Sequence, residues 1–287
     1  AQRCRGLPKA LKKWEAYDEL VKTIEDFLEV LPLLNDLSKP SMRERHWKLI
    51  SDVTGKEFDL DKFSELKLKQ ILEANILLYH IDIEEICDSA DKQLAIENKL
   101  QEISTMWNET SFEFANFKER GETILSGGVV AEIIEALEES QSSLVQMLTQ
   151  RHILPFKERT SLWLKKLSDV YDVLEGWIKV QMLWMNLEAV FTGGDIARQM
   201  PQDTRCFMTV DKEFTTRMMP KAKDVRNVIE CCQNEYIKTM LPTMFVDLEK
   251  CQKALDGYLE AKRNRFPRFY FVSNPALLLI LSQGSDQ

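Results

Sequence analysis

No run of eighteen apolar residues occurs in the 287-residue chain, its opening lacks the apolar stretch of a secretory signal, and no CxxC appears among its six cysteines. A spanning helix needs roughly twenty consecutive apolar residues, and a secretory leader needs a charged start followed by an apolar run. The expectation is a chain that neither crosses a membrane nor enters the secretory route. Cys4, Cys87, Cys206, Cys231, Cys232 and Cys251 are scattered without a partnering histidine cluster, so they read as reduced, intracellular thiols. The adjacent Cys231 and Cys232 diverge by about 100° if they are helical, which makes two core thiols the expectation rather than a redox or metal pair. Without secretion, the Asn108-Glu109-Thr110 sequon is a chance match.

Glycine and proline are also scarce, at 10 and 9 residues, which excludes a loop-rich fold. Basic excess is absent: 38 Lys and Arg face 46 Asp and Glu, for a net charge of -8. Such a chain repels phosphate backbones, and nucleic acid is excluded as an expected partner. No GxSxG, HExxH, GxGxxG or EF-hand loop occurs. Gly55-Lys56 fails as a phosphate loop, because the place five residues before the glycine holds Ile50 and the residue after the lysine is Glu57. His46, His80 and His152 are isolated from one another in sequence. No catalytic, cofactor-binding or metal-ligating set is expected in this chain.

What is present is helical periodicity. Between about Thr160 and Thr192, the residues Trp163, Leu167, Val170, Leu174, Trp177, Gln181, Trp184, Glu188 and Phe191 follow at alternating spacings of four and three, the seam of a long packed helix. Leu164, Tyr171, Ile178 and Met185 widen its apolar face on one side, and Val173, Val180 and Leu187 on the other. Such a helix needs neighbours on at least two sides, and at 1.5 Å per residue it makes a rod of about 48 Å. It is the structural spine. Its in-seam polar residues, Gln181 and Glu188, have no partner at helical spacing that would make them ligands or an acid/base pair. They are expected to fix packing register or reach the rim.

Around the spine, the pattern predicts a first long helix from Pro8 through Leu11, Trp14, Ile24 and Leu31, closed by Pro32. Ser41 and Glu44 then form a capping box for a shorter helix carrying Trp47 and Ile50. A loop over Asp52 to Asp61 precedes a helix from about Phe63 through Ile71 to Leu77, and another helix runs from Ile81 to Trp107. Phe112, Phe114 and Phe117, a turn at Lys118 to Gly121, and Ile124 with Leu125 predict a small β-hairpin, ended by Gly127 and Gly128. The next helix carries Val130 to Leu148, and Pro155 separates it from the spine, which Gly193 and Gly194 terminate. A helix from Phe207 to Met218 ends near Pro220. The last long one, Ile237 to Leu259, starts at Pro242 or kinks there.

The basic run Lys262, Arg263, Arg265 and Arg268 follows, with a short strand over Arg268 to Val272 and a final helix capped by Asn274 and Pro275. Cations at a helix C-terminus complement its dipole, and the same run is a candidate docking patch for an acidic surface. The final ALLLIL helix is apolar on every side, which implies a covering element and a chain that is a fragment. The expected fold is therefore all-α: an elongated array of long antiparallel helices with a β-hairpin insertion and a short strand near the C-terminus. The expected parts are 1–126, including the hairpin, and 127–287, built on the spine.

The sequence resembles the linker region of dynein heavy chains, axonemal and outer-arm-like in type. Trp177 to Phe191 with Gly194-Asp195-Ile196, Gln199-Met200-Pro201-Gln202 and Val210-Asp211-Lys212 carry the likeness, as does CQKALDGYLEAKRNRFPRFYFVSNPALLLILSQ from Cys251 to Gln283. RCRGLPKALKKWEAY and RHWKLISDVTGKEF extend it over nearly the whole chain. The resemblance implies a helical lever that lies across a ring of AAA+ modules and bends or straightens as nucleotide turns over. ATP and Mg would belong to the ring, with no cofactor in this segment. Partners would be the ring and the rest of the linker of the same heavy chain, other dynein subunits indirectly, and the microtubule only through the complete motor, in the axoneme of a cilium or flagellum. Gly127, Gly128, Gly193 and Gly194 are candidate hinges, where backbone change costs least, although terminating a helix explains them equally well. Arg263, Arg265, Arg268, Phe269 and Tyr270 are a candidate docking surface. A static helical scaffold is the competing reading, though no self-similar unit of 30 to 50 residues appears.

Overall fold

The computed structural model describes residues 14–58, 76–192 and 195–282. Helices dominate: α1 (Glu15–Leu37), α2 (Glu44–Thr54), α3 (His80–Glu109) after a 3-10 turn at Ile76–Tyr79, α4 (Gly127–Leu148), and the spine α5 (Lys157–Phe191). They are followed by α6 (Asp195–Gln199), α7 (Pro201–Lys212), a π-helical turn at Glu213–Met218, α8 (Met219–Asp224), α9 (Val228–Cys232), α10 (Glu235–Arg265), a 3-10 turn at Pro267–Phe271 and α11 (Asn274–Ser282). The predicted hairpin is present, with β1 (Phe114–Asn116) antiparallel to β2 (Glu122–Leu125) and a bulge between Ala115 and Asn116. The all-α expectation with a small two-stranded sheet holds. Pro8, Leu11, Gly193, Gly194 and the predicted helix from Phe63 to Ile71 lie outside the described residues.

The chain divides into two compact units, the first comprising 1–101 with 150–156 and the second 102–149 with 157–287. In the first, Val30, Leu33 and Leu37 of α1 meet Trp47 and Ile50 of α2, Phe58, Ile76, and Ile83, Cys87 and Ala90 of α3 in one apolar cluster. In the second, α5 packs on α4, α9 and α10, so the spine has the several neighbours its wide apolar face requires. Trp163, Leu167, Val170, Leu174, Trp177, Trp184 and Phe191 are all buried along it.

Four local expectations are corrected. Pro32 does not close α1: the helix continues to Leu37, because Pro32 and the neighbouring Leu28 and Leu31 are exposed and water can serve the carbonyl left without a donor. Pro220 does not end its helix either, since it sits in the first turn of α8, where its missing N–H costs nothing. Ser41 does not cap α2; its hydroxyl donates to Asp91 at 2.6 Å, while the Arg43 N–H donates to His46 Nδ1 at 3.1 Å. The stretch Arg268 to Val272 is no strand. Pro267 fixes the first turn of a 3-10 segment there, and among the described residues the segment has no neighbouring strand to pair with. Pro242, by contrast, lies within α10, one of the two alternatives the sequence left open.

Gly55, which fails as part of a phosphate loop, has a structural use. Gly55 adopts φ 67° as the left-handed residue that closes α2.

Candidate functional site

The spine's two in-seam polar residues have one task between them: they hold the hairpin. Gln181 Oε1 accepts from the Leu125 N–H at 2.8 Å, and Gln181 Nε2 donates to the Leu125 carbonyl at 3.4 Å. A side-chain amide thereby takes the place of a third strand on β2. Seven residues on, Glu188 is buried and accepts from two hairpin cations. Lys118 Nζ meets one carboxylate oxygen, and Arg120 Nε lies 3.1 Å from the other. Arg120 Nη1 reaches further, to Asp211 Oδ1 at 2.5 Å, and the same oxygen accepts from Trp184 Nε1 at 2.9 Å.

Aromatic rings fill the space beneath these charges. Phe112 lies 5.6 Å from Trp177 between ring centroids, Phe117 lies 5.0 Å from Trp184, and Trp184 lies 5.0 Å from Phe214 in the π-helical turn. The Arg120 guanidinium stands 5.6 Å over the Trp184 ring. A buried and a half-buried carboxylate opposite two cations, one of them shared, satisfy the condition under which burying charge is tolerable: pairing plus hydrogen bonding. The hairpin's own backbone is adapted to this seat. Lys118 takes φ 51°, an unusual value for a side-chain-bearing residue, and Gly121 takes φ 73° with ψ -159°, a region open to glycine alone. A π-helical turn beside the clasp keeps Phe214 buried against Trp184 while Asp211 faces Arg120.

Asn227 performs a second joining. Its amide donates to the carbonyls of Trp107, Asn108 and Thr110 at 3.0 to 3.2 Å, closing the end of α3. Its oxygen accepts from the Glu230 N–H at 3.1 Å, opening α9. One side chain caps two helices.

At the C-terminal corner, the predicted docking set separates. Arg263 is occupied internally: it donates to the Phe269 carbonyl at 3.4 Å, the Val272 carbonyl at 3.1 Å and Asn274 Oδ1 at 2.6 Å, fastening α10 to the start of α11. The Tyr270 hydroxyl lies 2.6 Å from Glu260 and 2.9 Å from Asn264, and Phe269 packs against Phe266 at 4.9 Å. Arg265 and Arg268 are exposed, and between them and α11 stands Phe271, 94% exposed. Sequence reasoning missed Phe271, because it placed the residue inside a short strand over Arg268 to Val272.

The candidate hinges Gly127 and Gly128 form the first turn of α4 after Ser126, neither with positive φ, and a Cβ at either position would meet nothing within 4 Å. Cys231 and Cys232 are buried in α9 as expected, and burial pushes the Cys231 thiol up to about 12 and Cys232 higher still. Among the described residues, no group of three or more His, Cys, Asp or Glu is arranged to hold a metal ion. No helix among them is long and apolar enough to cross a membrane.

Comparison with known proteins places this geometry in context. The family model described as dynein heavy chain, N-terminal region 2, matches residues 1–287. Over 285 residues, 99% of the chain, it is 45% identical to dynein axonemal heavy chain 5 of Mus musculus and 46% identical to dynein axonemal heavy chain 8 of Homo sapiens. It is 44% identical over 283 residues, 98% of the chain, to the dynein gamma chain of the flagellar outer arm of Chlamydomonas reinhardtii. The chain spans 6% of the length of each of these relatives.

Proposed function

The chain belongs to the dynein heavy chain family, within its N-terminal region 2, and from that premise we propose that it is a load-bearing segment of the linker of an axonemal, outer-arm-type motor. In this reading the segment passes conformational change from an AAA+ ring along the heavy chain in a cilium or flagellum. ATP and Mg bind the ring, the microtubule is reached through the complete motor, and this segment contributes stiffness rather than chemistry.

The observation that supports the reading is how the spine's polar groups are used. A 35-residue helix spends both of its seam polar residues on clasping a hairpin. Ionic, amide and aromatic contacts at that clasp resist sliding in ways that an apolar seam alone does not, because each has a fixed geometry. A lever must keep its parts in register under load; a passive helical scaffold needs no such device.

The test is made in the complete motor, with one fluorophore on an exposed spine position such as Met182 and one on the ring. Transfer efficiency that steps with each nucleotide state is the expected result. A constant efficiency while the ring hydrolyses ATP would replace the lever by a static scaffold. Turnover of ATP by the isolated segment would overturn the absence of chemistry.

A further inference from the structure

One apolar stripe in the first unit faces away from the core. α1 buries only Val30, Leu33 and Leu37, all towards its C-terminal end, where they join the cluster with α2 and α3. A second apolar set, Trp14, Tyr17, Val21, Ile24, Leu28 and Leu31, follows at spacings of three, four, three, four and three. That is the seam of a helix that packs lengthwise on another helix. None of the six is buried: Trp14 is 63% exposed, Leu28 and Leu31 are 48% and 47% exposed, and the other three are half-buried. At about 100° per residue, Leu28 and Leu37 lie on opposite sides of α1, so the seam and the buried face are separate. Single exposed apolar residues are ordinary on a protein surface, but six in heptad register over about five turns form a surface shaped for a partner.

The charges decide which partner. Glu15 to Leu37 holds seven Asp and Glu and one Lys, a net of -6 within a chain whose total is -8. Asp18 and Glu25 border the seam on one side, and Leu20 and Phe27 widen it on the other. Among the described residues, only Asp36 of these carboxylates enters an ion pair, with Lys39. A helix that lies on a lipid surface carries Lys and Arg opposite its apolar face. The polar side of α1 is acidic instead, which suits a basic protein helix.

We propose that this face of α1 is a docking surface for a basic amphipathic helix of the same heavy chain, contributed from outside residues 1–287. The partner presents apolar residues at heptad spacing, with Lys or Arg beside them opposite Asp18 and Glu25. Its source is the same polypeptide because the chain spans only 6% of the length of its relatives, and a tethered helix meets α1 at an effective concentration that a separate subunit does not reach. The inference rests on membership of the heavy-chain family and not on the lever, so it stands even if the segment proves static.

The experiment is made in the complete heavy chain, with the photoreactive p-benzoylphenylalanine in place of Phe27 at the edge of the seam. Irradiation, digestion and mass spectrometry are expected to give cross-links to one helix outside this segment, with Lys or Arg flanking its heptad positions. Asp18→Lys with Glu25→Lys is expected to lower the cross-link yield by roughly threefold to tenfold at low salt, as two exposed ion pairs become two repulsions. The deficit shrinks as salt screens the charges. Ile24→Ser with Leu28→Ser is expected to lower the yield at every salt concentration. Amide exchange in α3 is expected to stay unchanged in both variants, since the substituted residues lie outside the buried cluster. Cross-links confined to residues 1–287, cross-links to a separate polypeptide, no cross-link at all, or a yield indifferent to charge reversal would each overturn the proposal. So would a loss of yield that comes only with faster exchange in α3, because it would make these residues part of the core.

Discussion

Gly121 and Gly176 look alike by surroundings, since a Cβ at either meets nothing within 4 Å, yet they answer to different physics. Gly176 sits mid-spine in ordinary helical geometry, where glycine costs about 1 kcal/mol relative to alanine. Gly121 holds φ 73°, where an L side chain is strained whatever the space. Gly176→Ala is expected to raise unfolding stability by about 1 kcal/mol, and Gly121→Ala to lower it by roughly 1–3 kcal/mol. Urea denaturation of both variants checks the pair; equal effects would mean that local backbone geometry is not what separates them.

The clasp allows a similar ordering. Lys118 has a half-exposed side chain and can return to water when its partner is lost, whereas Arg120 is 28% exposed and stands between Glu188 and Asp211. Removing Arg120 leaves two carboxylates, 8% and 17% exposed, with their main counter-charge gone. Arg120→Ala is expected to cost about 3 kcal/mol and Lys118→Ala less than about 1 kcal/mol. A chemical-denaturation series in which Lys118→Ala costs as much as Arg120→Ala would place the weight of the clasp on the wrong cation.

Among the elements, α2 is tied to α3 by a directional chain of hydrogen bonds. The Arg43 N–H donates to His46 Nδ1, His46 Nε2 donates to Gln93 Oε1 at 3.0 Å, Gln93 Nε2 donates to Ser89 Oγ at 3.4 Å, and Ser89 Oγ donates to His152 Nδ1 at 2.9 Å. Arg45 Nε adds a second bond to Gln93 at 2.7 Å. The chain requires neutral His46, and burial lowers its pKa below the ordinary value of about 6.5. A lowered folded value means that the unfolded chain binds the proton first. This contribution to stability is therefore whole above about pH 6.5 and is lost as pH falls from there through the folded value. Denaturation midpoints at pH 7.5 and 5.5 are expected to differ in the native chain and to converge in His46→Gln; an unaltered difference would assign the pH response elsewhere.

Gly127 and Gly128 pose the opposite question, for nothing packs where their side chains would be. Close packing does not require glycine there, which leaves two uses for it: a plain helix start, or the backbone freedom that a hinge of the linker reading needs. Alanine at both is expected to stabilise α4 and to slow the linker swing in the complete motor. An unchanged swing and gliding speed would leave these glycines as a helix start and nothing more.

Element by element, what sequence conveyed was whatever repeats. The spine's alternating spacing, the β-hairpin at Phe114 to Leu125 and the α3 and α10 helices are periodic signals, and the structure carries them. Gln181 and Glu188 announced themselves as exceptions to a pattern, but their partners did not. Leu125, Lys118 and Arg120 lie 56 to 70 positions away along the chain, and no local rule connects them. Asn227 was missed for the same reason, since the helix end it closes lies more than a hundred positions earlier. Prolines misled where exposure decided: Pro32 reads as a terminator only if the freed carbonyl has no access to water.

At the scale of the molecule, the C-terminal corner separates holding from reaching. Arg263 and Tyr270 are engaged within the corner, and that engagement fixes the direction in which Arg265, Arg268 and Phe271 are presented. An almost fully exposed phenylalanine beside two cations that have no ion-pair partner among the described residues is a combination that solvent alone does not favour, and it suits an acidic surface with an apolar recess. In the linker reading that surface belongs to the ring or to the remaining linker of the same heavy chain. Arg265→Glu with Arg268→Glu is expected to weaken docking in the complete motor most at low ionic strength, with the deficit shrinking as salt screens both the native attraction and the new repulsion. Phe271→Ala is expected to weaken it about equally at every salt concentration, because apolar burial is not screened. Crosslinking or fluorescence between linker and ring, measured across a salt series, distinguishes the two signatures. If the reversed charges leave docking unchanged at low salt, the corner is only a brace between α10 and α11, and the contact with the ring has to be sought on another face of the segment.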